Sequence, residues 1–321
     1  MLVGTPVQLA KMRTAKHLTR VRMIVLDEAD MLVDEYQTEV ASIVRHDTSH
    51  RPQIIAVSAS TDEESTQALK DLMPAAPWIV HATTGQQLSA SVEYNMLKAP
   101  PRLFNRSSNS FNASTSTVSF WAGLATDIAT TDRYAAELPN RNGNDRHKLM
   151  LFLPTRALCD SVQRRMQSQD FPKDSLYMLH GKVSDEKGKR SVGFNKFKEA
   201  GPGSVLITTT VSARGLDVYG VKIVVTGIPF GTTLKEKRNG VLHCTGRTGR
   251  ASAKGTALIV TPEAGLWARN DPASSLLQWL EPSCANVWTY ARGGELRQTR
   301  QTRVASMVMG GRTSPPERKE R

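Results

Sequence analysis

Short, nearly continuous apolar runs punctuate the chain, and stretches with helical spacing fill the intervals. The runs are RMIVLD (22–27), QIIAVSAS (53–60), KLMLFLPT (148–155), VLITTT (205–210), KIVVTGIP (222–229) and TALIVT (256–261). Their shortness and their β-branched residues predict strands. Residues 156–167 and 185–199 carry helical periodicity, and a helix-like stretch covers 120–138. Buried strands alternating with helices predict α/β architecture, with parallel sheets covered on both faces. No repeat of solenoid period is evident.

The pattern lapses in NRSSNSFNASTST (105–117), where ten of thirteen residues are Ser, Thr or Asn. Such a segment buries little and is expected to be a disordered loop or insertion. It separates two α/β regions. The expected divisions are a first region at 1–88, a linker with the polar insertion at 89–147, the main part of a second region at 148–263, and an extension at 264–321. Residues 292–321 contain eight Arg or Lys against three Glu, and two adjacent prolines. The extension is therefore expected to be basic and partly disordered. It either touches phosphates nonspecifically or is simply solvated.

Composition narrows the partners. A length of 321 residues suits about two domains, and a hydrophobic fraction of 39% permits a sizeable core. The net charge of +12 favours an anionic partner, nucleic acid being the commonest, and a basic but indifferent surface is the equal alternative. Three distant cysteines, Cys159, Cys244 and Cys284, form no CxxC, which argues against a disulfide framework or a zinc site and for a reducing, intracellular compartment. No apolar run approaches the roughly 18 residues of a membrane span, so no membrane partner is expected. The N-terminus carries no signal-peptide or transit-peptide pattern. Asn105-Arg106-Ser107 and Asn112-Ala113-Ser114 match a glycosylation sequon but read as chance products of the Asn/Ser-rich stretch.

The first apolar run ends in Asp27-Glu28-Ala29-Asp30. In parallel sheets, ligands bind outside the carboxyl ends of strands. One carboxylate there can hold Mg²⁺ through water, since Mg²⁺ keeps most of its own waters. The second can orient or deprotonate a water attacking a γ-phosphate. Acid pairs at strand ends also serve as surface turns or helix caps, so the tetrapeptide does not decide alone.

Further stretches decide it. Ser58-Ala59-Ser60 closes the next strand, TTTVSARGLDVYGV covers 208–221, and HCTGRTGRAS covers 243–252. In this order and spacing they resemble the DEAD-box RNA helicases of superfamily two, over about residues 1–262. Asp27 to Asp30 match motif II. Ser58-Ala59-Ser60 stands for the usual Ser-Ala-Thr of motif III and keeps both hydroxyls. Thr5-Pro6-Val7-Gln8 half matches the Thr-Pro-Gly-Arg of motif Ib. LFLPTR (151–156) lies in the motif IV region, and Thr209 to Asp217 match motif V. His243 to Arg250 match motif VI, with Cys244 in place of its first arginine.

The resemblance implies two RecA-like parallel-sheet domains, the first incomplete at its N-terminus. It implies ATP as the nucleotide, Mg²⁺ held by Asp27 through water, and an attacking water positioned by Glu28. Arg247 and Arg250 resemble the two arginines that approach the γ-phosphate from the second domain, a task suited to the planar, always charged guanidinium. Gly246 and Gly249 beside them permit close backbone approach. Asp217 resembles the residue that accepts a hydrogen bond from the ribose, and Gly215 lies with it in the nucleotide-binding part of motif V. Asp30, Arg214 and His243 resemble links between motifs across the domains. Ser58 and Ser60 resemble the hydroxyls that couple hydrolysis to strand separation. Thr5, Thr155, Arg156 and Thr209 fall at RNA-contacting positions, where hydroxyls, an arginine and backbone amides suit sugar–phosphate recognition without base reading. HGKVSDEKGKR (180–190) has Asp185 and Gly188 where the family has a Gln-x-x-Arg element. That departure weakens the expected RNA grip unless Lys187, Lys189 and Arg190 compensate, and a solvated helix face is the alternative.

One part of the family's machinery has no match. A P-loop ends Gly-Lys-Thr or Gly-Lys-Ser, with amides that cradle phosphates and a hydroxyl that ligates Mg²⁺. Here Gly181-Lys182 precedes Val183, and Gly188-Lys189 precedes Arg190. The adenine-reading Q motif is absent too, and residues 1–4 correspond to the strand just before motif Ib. The expectation is a fragment of a longer product, a half completed by another chain, or a degenerate relative without turnover. Loss of the P-loop strand would bare a parallel strand edge and one apolar face of the remaining helices in residues 1–88. The expected activity is ATP-dependent RNA duplex separation or ribonucleoprotein remodelling. The alternative is a catalytically inactive RNA-binding or assembly factor, and a DNA helicase ranks third. A ribosome-assembly complex, nucleolar or organellar, is the family-level expectation for a basic member.

Overall fold

The computed structural model describes residues 1–12, 21–45, 52–58, 63–73, 88–105, 110–111, 114–130, 147–180, 189–210, 218–228, 233–250, 253–263, 271–290 and 296–301. The chain divides into two compact units, Met1–Leu88 and Ser89–Arg321.

The first unit contains a parallel pair of strands, β1 (Met23–Asp27) and β2 (Gln53–Val57), in register from Met23 opposite Gln53 to Asp27 opposite Val57. Helices α1 (Pro6–Met12), α2 (Ala29–Glu35), α3 (Gln37–Val44) and α4 (Glu63–Leu72) accompany them. Alternate strand residues point to opposite faces. Ile24, Leu26, Ile54 and Ala56 pack with Val33, Val40, Val44, Leu69 and Leu72 of the helices. The other face carries Met23, Val25, Ile55 and Val57, all exposed. An apolar face is thus bare on the sheet, where the expectation put it on the helices, and α1 buries no residue.

The second unit is built on an eight-stranded sheet among the described residues. Its strands are β3 (Val92–Ala99), β6 (Leu149–Leu153), β7 (Leu176–Leu179), β8 (Val205–Thr209), β9 (Ile223–Gly227), β10 (Gly255–Pro262), β11 (Asn286–Tyr290) and β12 (Leu296–Gln301). The order is β12-β11-β3-β10-β9-β6-β8-β7. All pairings are parallel except β11 with β12. A separate antiparallel pair joins β4 (Phe104–Asn105) to β5 (Ser110–Phe111).

Every residue of β6, β8 and β9 is buried, as strands covered on both faces require. Leu149, Leu151 and Leu153 face helices α5 (Thr115–Thr130) and α6 (Arg156–Gln167), packing with Trp121, Leu124, Ile128, Leu158 and Val162. Met150 and Phe152 face the opposite way, with Phe197 of α7 (Lys189–Glu199) and Cys244 of α8 (Leu234–Thr245). The position where the family carries an arginine is thus a core position here.

Two expected divisions and the polar run carry more structure than expected. The segment expected as linker, 89–147, contains β3, an interior strand of the sheet, and α5, one wall of its core. The polar run at 105–117 includes the start of α5, where the Ser114 hydroxyl pairs with Ser116 and Thr117 and accepts from the Thr117 amide. The extension at 264–321 contains α9 (Pro272–Leu280) and the sheet strands β11 and β12, and Phe120 stacks edge-on against Tyr290 at 5.3 Å. Residues 131–138 of the expected helix 120–138, and the tail 302–321, lie outside the described residues.

Candidate functional site

In the first unit, β1 delivers Asp27 and Glu28 to its carboxyl end, and β2 delivers Ser58 to the same end, because Asp27 and Val57 are register partners. Asp27 is exposed, and its Oδ1 accepts the Glu28 amide at 3.0 Å. Glu28 has left-handed backbone, φ 54° and ψ 48°, so the chain turns sharply from strand into α2. An L-residue adopts this conformation at a cost, and such strain concentrates at functional sites. Asp30 is buried in the first turn of α2. Thr5 is exposed just ahead of α1, and its carbonyl accepts the Leu9 amide at 3.0 Å. Ser60 lies outside the described residues.

The second unit assembles two separate groups. At the carboxyl edge of its parallel strands, Thr209 ends β8 opposite Leu153 of β6. Two residues past Leu153, Thr155 caps α6: its Oγ1 accepts the Leu158 amide at 3.2 Å. Arg156 follows, exposed, as the first residue of that helix. Helix N-termini favour anions, and Thr155 and Arg156 present this one at the surface, whereas Thr209 is buried. His180 follows β7 on this edge, buried, with Nε2 at 2.9 Å from Asp160 Oδ1 of α6. The Cys159 thiol next to Asp160 is pushed up to about 12, first by burial and then by the Asp160 charge, so it is inert.

The other group occupies the amino edge. Helix α8 carries His243, buried, and ends in the turn Gly246–Arg250, just ahead of β10. The Thr248 hydroxyl bonds the carbonyls of Val221 and Lys222, at 2.8 and 2.9 Å, ahead of β9. Arg247 Nε donates to the His243 carbonyl at 3.1 Å, and Arg250 Nε to the Gly246 carbonyl at 2.8 Å. Both guanidinium stems are thus tied back to their own helix end. Gly249 has φ +67°, and a Cβ on it would lie 2.7 Å from Val92 Cγ2 and 2.9 Å from the Ser91 carbonyl. Glycine is required at 249 by this backbone conformation and by packing against Ser91 and Val92. Lys237 is buried on α8, and burial lowers its pKa.

Of the sequence-predicted residues, Asp27, Glu28 and Ser58 meet at one strand end, Thr155, Arg156 and Thr209 at another edge, and His243, Arg247 and Arg250 at a third place. Arg214, Gly215 and Asp217 lie outside the described residues, as do Asp185 and Gly188. Sequence reasoning passed over Ser91, whose hydroxyl holds the Gly249 carbonyl. No linear pattern links residues that far apart.

The profile of the DEAD/DEAH box helicase family matches residues 1–69, and that of the helicase conserved C-terminal domain matches residues 132–252. ATP-dependent RNA helicase DBP3 of Candida albicans is 25% identical over 259 residues, covering 80% of this chain and 40% of that protein. ATP-dependent RNA helicase DBP2 of Ajellomyces capsulatus is 26% identical over 299 residues, covering 91% of this chain and 48% of that protein. DEAD-box ATP-dependent RNA helicase 30 of Arabidopsis thaliana is 28% identical over 262 residues, 80% of this chain and 37% of its own length. The chain thus spans less than half the length of these relatives. Among solved structures, it is similar to S. cerevisiae Dbp5 bound to RNA and ADP BeF3, with TM-score 0.62 and 20% identity over 88% of this chain and 62% of that one. It is also similar to Mss116p (NTE and C-tail double deletion) bound to ssRNA and AMP-PNP, with TM-score 0.63 and 17% identity over 90% of this chain and 53% of that one. At these identities the likeness establishes the fold, a pair of RecA-like α/β domains.

Proposed function

Because the chain belongs to the DEAD/DEAH box helicase family, we propose that it is part of an ATP-dependent RNA helicase that separates short RNA duplexes or remodels ribonucleoproteins. The observation that carries this reading is the register pairing that brings Asp27, Glu28 and Ser58 to one strand end. Glu28 orients the water that attacks the γ-phosphate. Arg247 and Arg250 neutralise charge developing on the transferred phosphoryl group, and their tethered stems supply the preorganisation this requires. Asp217 and Gly215 contribute to nucleotide binding, and Asp30, Ser58, Ser60, Arg214 and His243 couple the nucleotide to RNA.

Asp27 fits a Mg²⁺ site. It is exposed at the strand end, and with Oδ1 held by the Glu28 amide its second oxygen is left for a metal-bound water. When bound, the ion supplies charge neutralisation at the phosphate oxygens.

RNA is held by its sugar–phosphate backbone through Thr5, Thr155, Arg156 and Thr209. The Thr155 hydroxyl, which accepts from the Leu158 amide, keeps its own proton to donate to a phosphate oxygen. A ribosome-assembly or other ribonucleoprotein complex is the proposed setting. Three buried cysteines outside any disulfide support a reducing intracellular compartment, and no helix among the described residues is long and apolar enough to cross a membrane.

The test is RNA-stimulated ATP hydrolysis by the whole protein, in which this chain works with a P-loop. Glu28→Gln is expected to reduce turnover about a hundredfold or more; turnover equal to the native protein overturns the assignment. This chain alone, whose sequence has no Gly-Lys-Thr or Gly-Lys-Ser, is expected to hydrolyse no ATP. Its RNA binding is expected to be weak and to fall with added salt.

A further inference from the structure

The second unit begins at Ser89, and within three residues the chain is bonded to the turn that carries Arg247 and Arg250. The Ser91 hydroxyl donates to the Gly249 carbonyl at 2.7 Å, across 158 residues of sequence. That carbonyl belongs to the peptide unit whose nitrogen is Arg250. A peptide unit is planar and rigid, so fixing its oxygen fixes the direction in which Arg250 leaves the turn.

Ser91 is itself held. Its carbonyl accepts the Gly255 amide at 3.0 Å, tying it to the first residue of β10. Its hydroxyl also lies 2.8 Å from that of Ser89. The Ser89 amide donates to the hydroxyl of the buried Tyr94 at 3.1 Å. The Thr248 hydroxyl anchors the middle of the turn from the β9 side. The glycines complete the clamp. A Cβ on Gly249 would collide with Ser91, and one on Gly255 would lie 2.1 Å from Thr248 Oγ1. The turn is therefore pressed against the start of β3 with no room for slack.

We propose that Ser91 is a positioning residue for Arg250: its hydroxyl, at the entrance to the second unit, sets the orientation of the Gly249–Arg250 peptide. Any pull on the chain at residues 88–91 is felt at the same peptide, so the segment joining the two units acts directly on the arginine that meets the phosphate. This rests on the phosphate-contacting role given to Arg250 above.

Ser91→Ala removes the bond and leaves the Gly255–Ser91 backbone bond in place. In this chain, amide exchange across residues 246–250 is expected to accelerate about tenfold in Ser91→Ala and to return toward native rates in Ser91→Thr. Exchange unchanged in Ser91→Ala overturns the proposal. In the whole protein, Ser91→Ala is expected to lower kcat of RNA-stimulated ATP hydrolysis about tenfold with KM for ATP within about twofold of native. A native kcat in Ser91→Ala, beside a strongly impaired Arg250→Ala control, also overturns it. A native kcat in Arg250→Ala instead refutes the role of the arginine, and accelerated exchange in Ser91→Ala then leaves the clamp standing.

Discussion

Glu28 sits in left-handed backbone at φ 54° and ψ 48°, and replacing it with Asn should stabilise the first unit while abolishing turnover by the whole protein. The left-handed conformation costs an ordinary L-residue roughly 1–2 kcal/mol, whereas Asn tolerates it through local hydrogen bonds of its short side chain. Both backbone groups of Glu28 survive the change. Its amide still meets Asp27 Oδ1 at 3.0 Å, and its carbonyl still accepts the Leu32 amide at 3.1 Å. The net gain is about 1 kcal/mol, which in a unit of this size raises the midpoint by roughly 4–8 °C. Glu28→Ala is the control, because it loses the same charge but keeps the strain. Differential scanning calorimetry of the three proteins, with amide exchange to assign the first unit's transition, separates the two effects. An Asn variant no more stable than the Ala variant refutes the claim that strain is stored at this site.

Two further outcomes follow from the second unit. Thr155→Ala deletes the cap of α6 and should cost about 1 kcal/mol in urea denaturation, with Thr155→Ser restoring most of it; an unchanged midpoint contradicts the cap. Burial raises the pKa of Glu93 above its ordinary 4.5, partly offset by the Asn95 side chain and the Lys254 charge. The folded state therefore holds that proton better than the unfolded one, so the contribution is present below pH 4.5 and is lost as pH rises through the raised value. Glu93→Gln keeps an acceptor for Asn95 and removes the titration. Its melting temperature relative to native should increase between about pH 4 and about pH 7, and a flat difference contradicts the reading.

Strands that could be read from the sequence are those whose burial is paid for by apolar side chains alone. Runs such as LMLFL at 149–153 have every residue buried and announce themselves. β3 does not, because Glu93, Asn95 and Lys98 break its apolar run. Its polar groups draw on one another and on distant partners: Asn95 Nδ2 donates to Glu93 Oε1 at 3.2 Å, Asn286 Nδ2 donates to Asn95 Oδ1 at 2.9 Å, and Lys98 pairs with Glu281 at 3.0 Å. β11 and β12 were hidden for the same reason, since Gln298 reads as tail until its amide meets Asn286 at 2.9 Å. The Ser/Thr run at 114–117 read as loop, yet its hydroxyls organise the start of a sixteen-residue helix. At the site, residue identities and their positions at strand ends were legible from local spelling. The left-handed turn at Glu28 and the Ser91 contact were not, since each depends on backbone geometry or on partners far along the chain.

The two groups of the second unit stand at opposite edges of the same sheet, on different strands. His243, Arg247 and Arg250 lie at the amino edge and Thr155, Arg156 and Thr209 at the carboxyl edge. A strand of five residues such as β6 is a beam roughly 17 Å long, and the close packing of a core on each face keeps it stiff. Such a body transmits motion as a lever does. A tilt of about 10° imposed where the arginines are held sweeps the far edge through about 3 Å, about the length of a hydrogen bond. No signal has to pass from side chain to side chain through the interior.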